Sequence, residues 1–213
     1  MPASNATDKS LTQGLTPGSR ISHLLRESRW LAGAGAAAYL VLILATYHRA
    51  DPAWSHSAAA GLVRNAGGRI GAIGADVLLY LFGFSAWWLV ALLCYVIIAA
   101  YKRLGHSHNS DEAGMTLLDR RSMFAIFGGF ALLLTSSAAL EALRFHTLKA
   151  QLPLQPGGML GELTTRFADA YFGFTGATLL LLLGLAIGLS LFTGISWLAV
   201  AERIGAVIEK GVD

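Results

Sequence analysis

The apolar positions of this sequence gather into four long runs separated by more polar stretches. The runs cover about residues 30–47, 85–101, 123–140 and 176–200. A helix needs roughly 20 predominantly apolar residues to cross the hydrocarbon core of a bilayer. The pattern therefore predicts an all-α integral membrane protein with four transmembrane helices.

The segments in front of the second and fourth runs resemble one another. A shift that places Gly67 on Gly157 needs no gap, and it aligns Phe82-Gly83-Phe84 with Phe172-Gly173-Phe174. Between these anchors, apolar residues recur at helical spacing in both copies. They are Ile70, Ile73, Val77 and Leu81 in the first copy, and Leu160, Leu163, Phe167 and Tyr171 in the second.

These stretches, 68–82 and 158–172, are predicted to form amphipathic helices on the periplasmic surface of the membrane. Gly83 and Gly173 follow them directly. A glycine between two phenylalanines supplies a flexible elbow where an interfacial helix turns into the bilayer. Each half of the chain would then hold an outward span, a surface helix, an elbow and an inward span, so that the two halves form parallel repeats.

The distribution of basic residues predicts the orientation. With the N-terminus inside, ten Lys and Arg residues fall on the cytoplasmic side and six on the other side. An excess of this kind marks cytoplasmic loops, so we expect both termini in the cytoplasm. Residues 1–18 would be a disordered tail, 19–205 the four-span domain and 206–213 the start of a cytoplasmic linker.

The composition fits a membrane domain and gives no sign of a nucleic-acid surface. The chain is 54% hydrophobic and 14% charged, with a mean hydropathy of +0.55. Its formal net charge of +3 is spread along the loops rather than gathered into a basic stripe. We therefore expect no DNA binding by this chain. Cys94 is the sole cysteine, which excludes an intrachain disulfide.

No pattern in the chain predicts catalysis or cofactor binding. A phosphate-binding loop of the form G-x-x-x-x-G-K-[ST] is missing from the sequence. Ser136 and Ser137 lie in the third run, but no run holds a histidine that could act as their base. His48, His56 and His146 fall at run ends or in a loop, without the matched depth of a haem or metal pair. We predict no catalytic residue, no cofactor and no metal site.

The candidates for partner contact lie on the polar faces and in the loop after the first run. Exposed charges beside an aromatic residue are a common protein-contact chemistry. The candidates are Trp54, Arg69, Asp76, Glu162, Arg166 and Asp169. Anchoring at the membrane interface stays an equal alternative for Trp54. Glu162 with Arg166, and Glu141 with Arg144, have the spacing of local ion pairs.

Small residues inside the spans are candidates for close helix packing. Gly33 and Ala37 lie in the first run, and Gly184 and Gly188 have G-x-x-x-G spacing in the fourth. Such residues let two helix backbones approach each other closely. Packing within the domain and contact with another subunit both remain open.

Several motifs resemble the four-span N-terminal region of the FtsK/SpoIIIE family of bacterial DNA translocases. They are Asp51-Pro52-Ala53-Trp54-Ser55 and residues 65–76, 156–161, 172–176 and 188–198. The resemblance covers about residues 24–205 and depends on the order of these motifs along the four spans.

The resemblance implies a membrane anchor with a role in chromosome segregation and cell division. Members of that family carry a cytoplasmic linker and a hexameric ATPase motor that uses ATP and Mg to pump DNA at the division septum. For this chain it implies a multi-pass inner-membrane location, oligomer support and recruitment of cell-division membrane proteins, with the motor in a longer parent chain. The alternative is a small channel or transporter, which would need more polar residues inside the spans.

Overall fold

The structure is a computed structural model that describes residues 17–55, 63–106, 118–145, 152–197 and 201–202. Its helices are α1 (Pro17–Ala45), α2 (Gly68–Phe82), α3 (Trp87–His106), α4 (Leu118–Arg144) and α5 (Gly158–Thr193), with a 3-10 turn at Gly83–Ala86 between α2 and α3. The described residues contain no strand.

Four stretches are long and apolar enough to cross a membrane, so the predicted all-α four-span fold is confirmed. They are Ser28–Ala45, Gly68–Ala99, Met123–Arg144 and Gly158–Thr193. The predicted tail lies outside the described residues except for Pro17 and Gly18, which begin α1. The predicted linker at 206–213 also lies outside them.

The second and fourth of these stretches are broken by glycines at the predicted elbows. Gly83 has φ 60° and ψ −141°, and Gly173 has φ 64° and ψ 171°. These backbone conformations favour glycine because a Cβ would be strained there. Gly173 divides α5 into two helices, which we name the crossing segment (residues 158–172) and the return span (residues 174–193).

The crossing segment and the return span both contact the C-terminal turns of α4. Gly161 lies on the backbone of Ala138, while Ala177 belongs to the same buried apolar cluster as Leu143. In a straight helix Gly161 and Ala177 would be about 24 Å apart, whereas Ala138 and Leu143 are about 8 Å apart along α4. The chain must therefore turn at Gly173, and the crossing segment is not a straight continuation of the return span.

The return span then runs antiparallel to α4 along its whole length. Its contacts move down α4 as its own numbering rises: Thr178 meets Arg144, Gly184 meets Ser136, Gly188 meets Leu133 and Leu191 meets Gly129. α3 packs on this pair of helices: its Tyr95 contacts Phe192 of the return span, which also contacts Phe130 of α4.

The last helix, α5, ends within the run from which the fourth span was predicted, about residues 176–200. α5 stops at Thr193, where Gly194 takes a left-handed conformation and donates its N–H to the carbonyl of Ser190. Trp197 then reaches back and donates its indole N–H to the carbonyl of Ala186 at 2.9 Å. A left-handed glycine is a common helix terminator, so this end follows from Gly194 rather than from a loss of apolar character.

Candidate partner-contact surface

Asp76 is the centre of a buried polar cluster in the first half of the chain. Its side chain is 0% exposed. Its carboxylate accepts hydrogen bonds from the Tyr47 hydroxyl at 3.1 Å and from the Ser55 amide and hydroxyl at 2.8 and 2.9 Å. Burial, followed by the nearby Asp76 carboxylate, raises the pKa of Tyr47, so this hydroxyl stays a neutral donor.

The expectation that Asp76 lies on an exposed polar face is therefore wrong. The helical pattern placed it opposite the apolar stripe of α2, but the segment after α1 folds over that face. A carboxylate can be buried when hydrogen-bond donors converge on it. Asp76 thus fixes the chain around Ser55 and offers no contact surface of its own.

The same segment is tied to the end of α1. The Asp51 carboxylate accepts from the amides of Arg64 and Asn65 at 2.7 and 2.8 Å, and the Asn65 side chain donates to the carbonyl of Ile43 at 2.9 Å. The last carbonyls of a helix have no partner within the helix. Asn65 supplies one from the loop, so the start of α2 is held against α1.

Trp54 lies beside this cluster, and its side chain is exposed. Its ring is edge-on to Tyr80 with centroids 5.4 Å apart, and the residue is 65% exposed. Ser55, the next residue, is held by Asp76. The indole is thus presented on an anchored backbone, a geometry that suits either a protein contact or the membrane interface.

A second carboxylate, that of the half-buried Glu141, joins the two halves of the domain. It accepts from the Ser85 amide at 3.2 Å, and the Ser85 hydroxyl lies 2.6 Å from it. Ser137 lies 2.8 Å from the Ser85 hydroxyl and accepts from the Trp88 indole at 3.1 Å. The Gly157 amide also faces this carboxylate. Sequence reasoning missed this cluster, because its members come from three separate parts of the chain.

The predicted ion pair between Glu141 and Arg144 is wrong. Arg144 instead places its guanidinium 4.7 Å from the centroid of the Phe174 ring and donates to the Thr178 hydroxyl at 3.2 Å. The Glu141 carboxylate instead accepts from the Ser85 hydroxyl. The two charged groups therefore serve different neighbours.

The elbow after α2 lies directly on the start of α5. A Cβ at Gly83 would be 2.7 Å from Gly157 Cα and from Gly158 N, and one at Gly158 would be 2.6 Å from Gly83 N. Such distances leave no room for a side chain. We name this contact the glycine junction, and it makes Gly83 a packing residue as well as a turn.

The remaining charged candidates are exposed, except for Glu162, which is half-buried. Arg69 and Asp169 are exposed, and Arg166 is 77% exposed while it pairs with Glu162. No contact between the described residues joins these charged side chains to Trp54. The candidates thus divide between the two halves of the chain: a first patch comprises Trp54, which packs on Tyr80 near the end of α2, and Arg69 near its start, and a second patch lies along the crossing segment.

Gly184 and Gly188 pack inside the chain. A Cβ at Gly188 would lie 2.5 Å from Leu133 N, and one at Gly184 would lie 2.5 Å from Ser136 Oγ. Gly33 lies near Ile97 of α3, where a Cβ would be 3.3 Å away, and Ala37 is half-buried. Within the described residues these small side chains therefore bring helices of one chain together.

His48 accepts from the Ala50 amide at 3.1 Å, while His56 and His146 lie outside the described residues. In the part of the chain that the structure describes, no three His, Cys, Asp or Glu side chains form a group that could hold a metal ion.

Comparison with known proteins places these features in a family. Residues 22–205 match the family described as the 4TM region of DNA translocase FtsK/SpoIIIE. No solved structure matches the chain.

Individual relatives agree with this match. "DNA translocase FtsK 2" of Ralstonia nicotianae is 42% identical over 209 residues, which are 98% of this chain and 26% of the relative. "DNA translocase FtsK" of Pseudomonas syringae pv. syringae is 32% identical over 189 residues, or 88% of this chain and 22% of the relative. "DNA translocase FtsK" of Shewanella oneidensis is 35% identical over 171 residues, or 80% of this chain and 18% of the relative. The chain thus spans about a quarter or less of these relatives.

Proposed function

The chain belongs to the 4TM region of the FtsK/SpoIIIE DNA translocases, and from this premise we propose that it anchors a DNA translocase in the membrane and recruits cell-division proteins to it. The observation that carries the proposal is the match over residues 22–205, which coincides with the four membrane-spanning stretches. In this proposal the anchor acts in chromosome segregation and cell division at the septum. The DNA-pumping motor, with its ATP and Mg, lies in a longer parent chain.

The described polar groups support a binding role rather than a chemical one. Asp76, which is buried, and Glu141, which is half-buried, are engaged by hydroxyl and amide donors that hold segments of the chain together. A carboxylate satisfied in this way is a structural tie. We therefore assign recruitment to the first patch, Trp54 and Arg69, and to the second patch, Glu162, Arg166 and Asp169.

The proposal includes the topology and assembly that the sequence predicts. Both termini face the cytoplasm, so that the motor would follow the last span on the side where the chromosome lies. The patches then face the periplasm, where they can meet the outer parts of other inner-membrane division proteins. The parent assembles as a homo-oligomer, a hexamer at the motor, and the lipid bilayer surrounds the anchor.

The test is the behaviour of the full-length parent fused to a fluorescent protein. We expect the double variants Trp54→Ala/Arg69→Ala and Glu162→Ala/Arg166→Ala to reach the membrane in normal amounts. At least one of them should lose enrichment at the septum and capture fewer division proteins after crosslinking. The matched control is Leu179→Ala, an exposed residue of the return span that belongs to neither patch.

Two results would contradict this assignment. Normal septal enrichment and capture in both double variants would show that the patches do not recruit partners. Normal enrichment of a parent whose four spans are replaced by unrelated spans would show that the region is an anchor alone.

A further inference from the structure

The crossing segment has three faces of different chemistry. At about 100° per residue, its side chains fall into three sets that are each spaced by three or four positions. The sets are Gly161, Thr165 and Ala168, which pack on α4; Glu162, Arg166 and Asp169, which are charged; and Leu163, Phe167 and Tyr171, which are apolar. A helix that lies on a membrane surface needs only an apolar face toward lipid and a polar face toward water. The third face, which packs on α4, therefore reports the depth of the crossing segment in the membrane.

The contacts with α4 place the crossing segment beside the last turns of that helix rather than beyond its C-terminal end. Gly161 lies on Ala138, six residues before the last residue of α4, which corresponds to about 9 Å along the axis. Further along the segment, the Thr165 hydroxyl donates to the carbonyl of Ala139 at 2.8 Å. The crossing segment therefore lies against the last two turns of α4 and not above them.

The length of the return span gives the level of the hydrocarbon boundary. Residues 174–193 form a helix of about 30 Å, which equals the thickness of the hydrocarbon core. Its first turn meets Arg144, whose guanidinium covers Phe174. The boundary therefore lies near Arg144, and the crossing segment, which contacts α4 further in, lies at the edge of the hydrocarbon.

The apolar face of the crossing segment is open in the chain. Leu163, Phe167 and Tyr171 are 66%, 65% and 72% exposed. At the turn, Phe172 and Phe174 are also exposed, and they connect this face to the exposed leucines of the return span. The apolar face is thus continuous with a surface that must face lipid.

We infer that the crossing segment is sunk into one leaflet, with Leu163, Phe167 and Tyr171 among the acyl chains and Glu162, Arg166 and Asp169 toward water. The leaflet is the one beside the loops that follow α1 and α4. This arrangement satisfies all three faces at once: α4 takes the glycine side, lipid takes the apolar side and water takes the charges. A helix resting on the headgroups would leave Leu163 and Phe167 without acyl contact.

Spin labels can measure this depth directly. With Cys94 replaced by serine, single cysteines at Leu163, Phe167, Arg166 and Asp169 can be labelled in the full chain, reconstituted in phosphatidylcholine vesicles. Oxygen concentrates in the bilayer and a neutral nickel chelate stays in water, so their collision rates with the label report depth. We expect oxygen collisions to dominate at Leu163 and Phe167, and nickel collisions to dominate at Arg166 and Asp169.

Each other result would overturn the inference. Nickel access that is equal on both faces would show that the segment lies in water, outside the leaflet. Protection of Leu163 and Phe167 from both reagents would show that protein, such as a second copy of the chain, covers the apolar face. Two positions on each face guard against a single variant that fails to insert. The measurement needs neither motor nor division partner, so its failure leaves the anchor proposal unchanged.

Discussion

Replacement of Asp76 by alanine should destabilise the domain substantially. The change removes the acceptor for the Tyr47 hydroxyl and for the Ser55 amide and hydroxyl. A buried donor left without an acceptor costs about 1–3 kcal/mol. The Ser55 segment can regain some water by moving, so we expect the free energy of unfolding to fall by about 2–4 kcal/mol.

Asp169→Ala is the matched control for this change. Asp169 is also an aspartate in an apolar helix next to an elbow, but it is exposed. Substitutions at exposed positions usually change stability by less than about 0.5 kcal/mol. Unfolding of both variants by sodium dodecyl sulfate in mixed micelles, followed by circular dichroism, measures the difference directly.

Equal unfolding of the two aspartate variants would contradict a structural role for Asp76. Asp76→Asn keeps one carbonyl acceptor in nearly the same volume, so if this variant is as unstable as Asp76→Ala, hydrogen bonding is not the cause. A selective loss at Asp76→Ala that is partly restored by Asp76→Asn would establish the cluster as a structural tie.

The remaining predictions concern the glycines and the orientation. Gly83→Ala and Gly173→Ala both place a Cβ at positive φ and should cause similar backbone strain. Only the Cβ at Gly83 would also collide with backbone atoms, so the Gly83 variant should unfold more easily. Equal losses of stability in the two variants would argue against the glycine junction. Gly188→Leu should lower stability by about 1–3 kcal/mol through overpacking, whereas Gly128→Leu, at a position where a Cβ would meet no atom within 4 Å, should be neutral in the same titration. Alkaline phosphatase should be inactive when fused after Asp213 and active when fused in the loop after α4; the reverse pattern would invert the topology.

The helices and their breaks follow from the sequence because short-range signals determine them. The predicted stretch at 68–82 is α2, and Gly173 interrupts α5 after residue 172. Glycines at positive φ end helices wherever the chain must turn, so two phenylalanine-flanked glycines predict these breaks without tertiary information. The periplasmic position of these helices stays a prediction.

The buried clusters could not be predicted in the same way. Periodicity assigns Asp76 to the polar side of α2, but it does not reveal that Ser55, 21 residues earlier, covers that side. The partner of Glu141 is Ser85, 56 residues away, and not the nearby Arg144. Spacing along one helix reports which face is polar, whereas the tertiary fold decides whether water or protein occupies it.

The glycine junction has a consequence for the order in which the chain can be completed during synthesis. Gly83 and Ser85 leave the ribosome before Glu141, Gly157 and Gly158, the residues on which they rest. The first pair of spans is therefore inserted before its partner, and its Gly83 elbow stays uncovered until the second pair is inserted. The α4–α5 hairpin joins two helices that follow one another along the chain, so it can form as soon as both are inserted. The last step of biogenesis is then the docking of the α4–α5 hairpin onto the first pair of spans. A chain that stops before residue 157 would expose the Gly83 elbow to quality-control proteases.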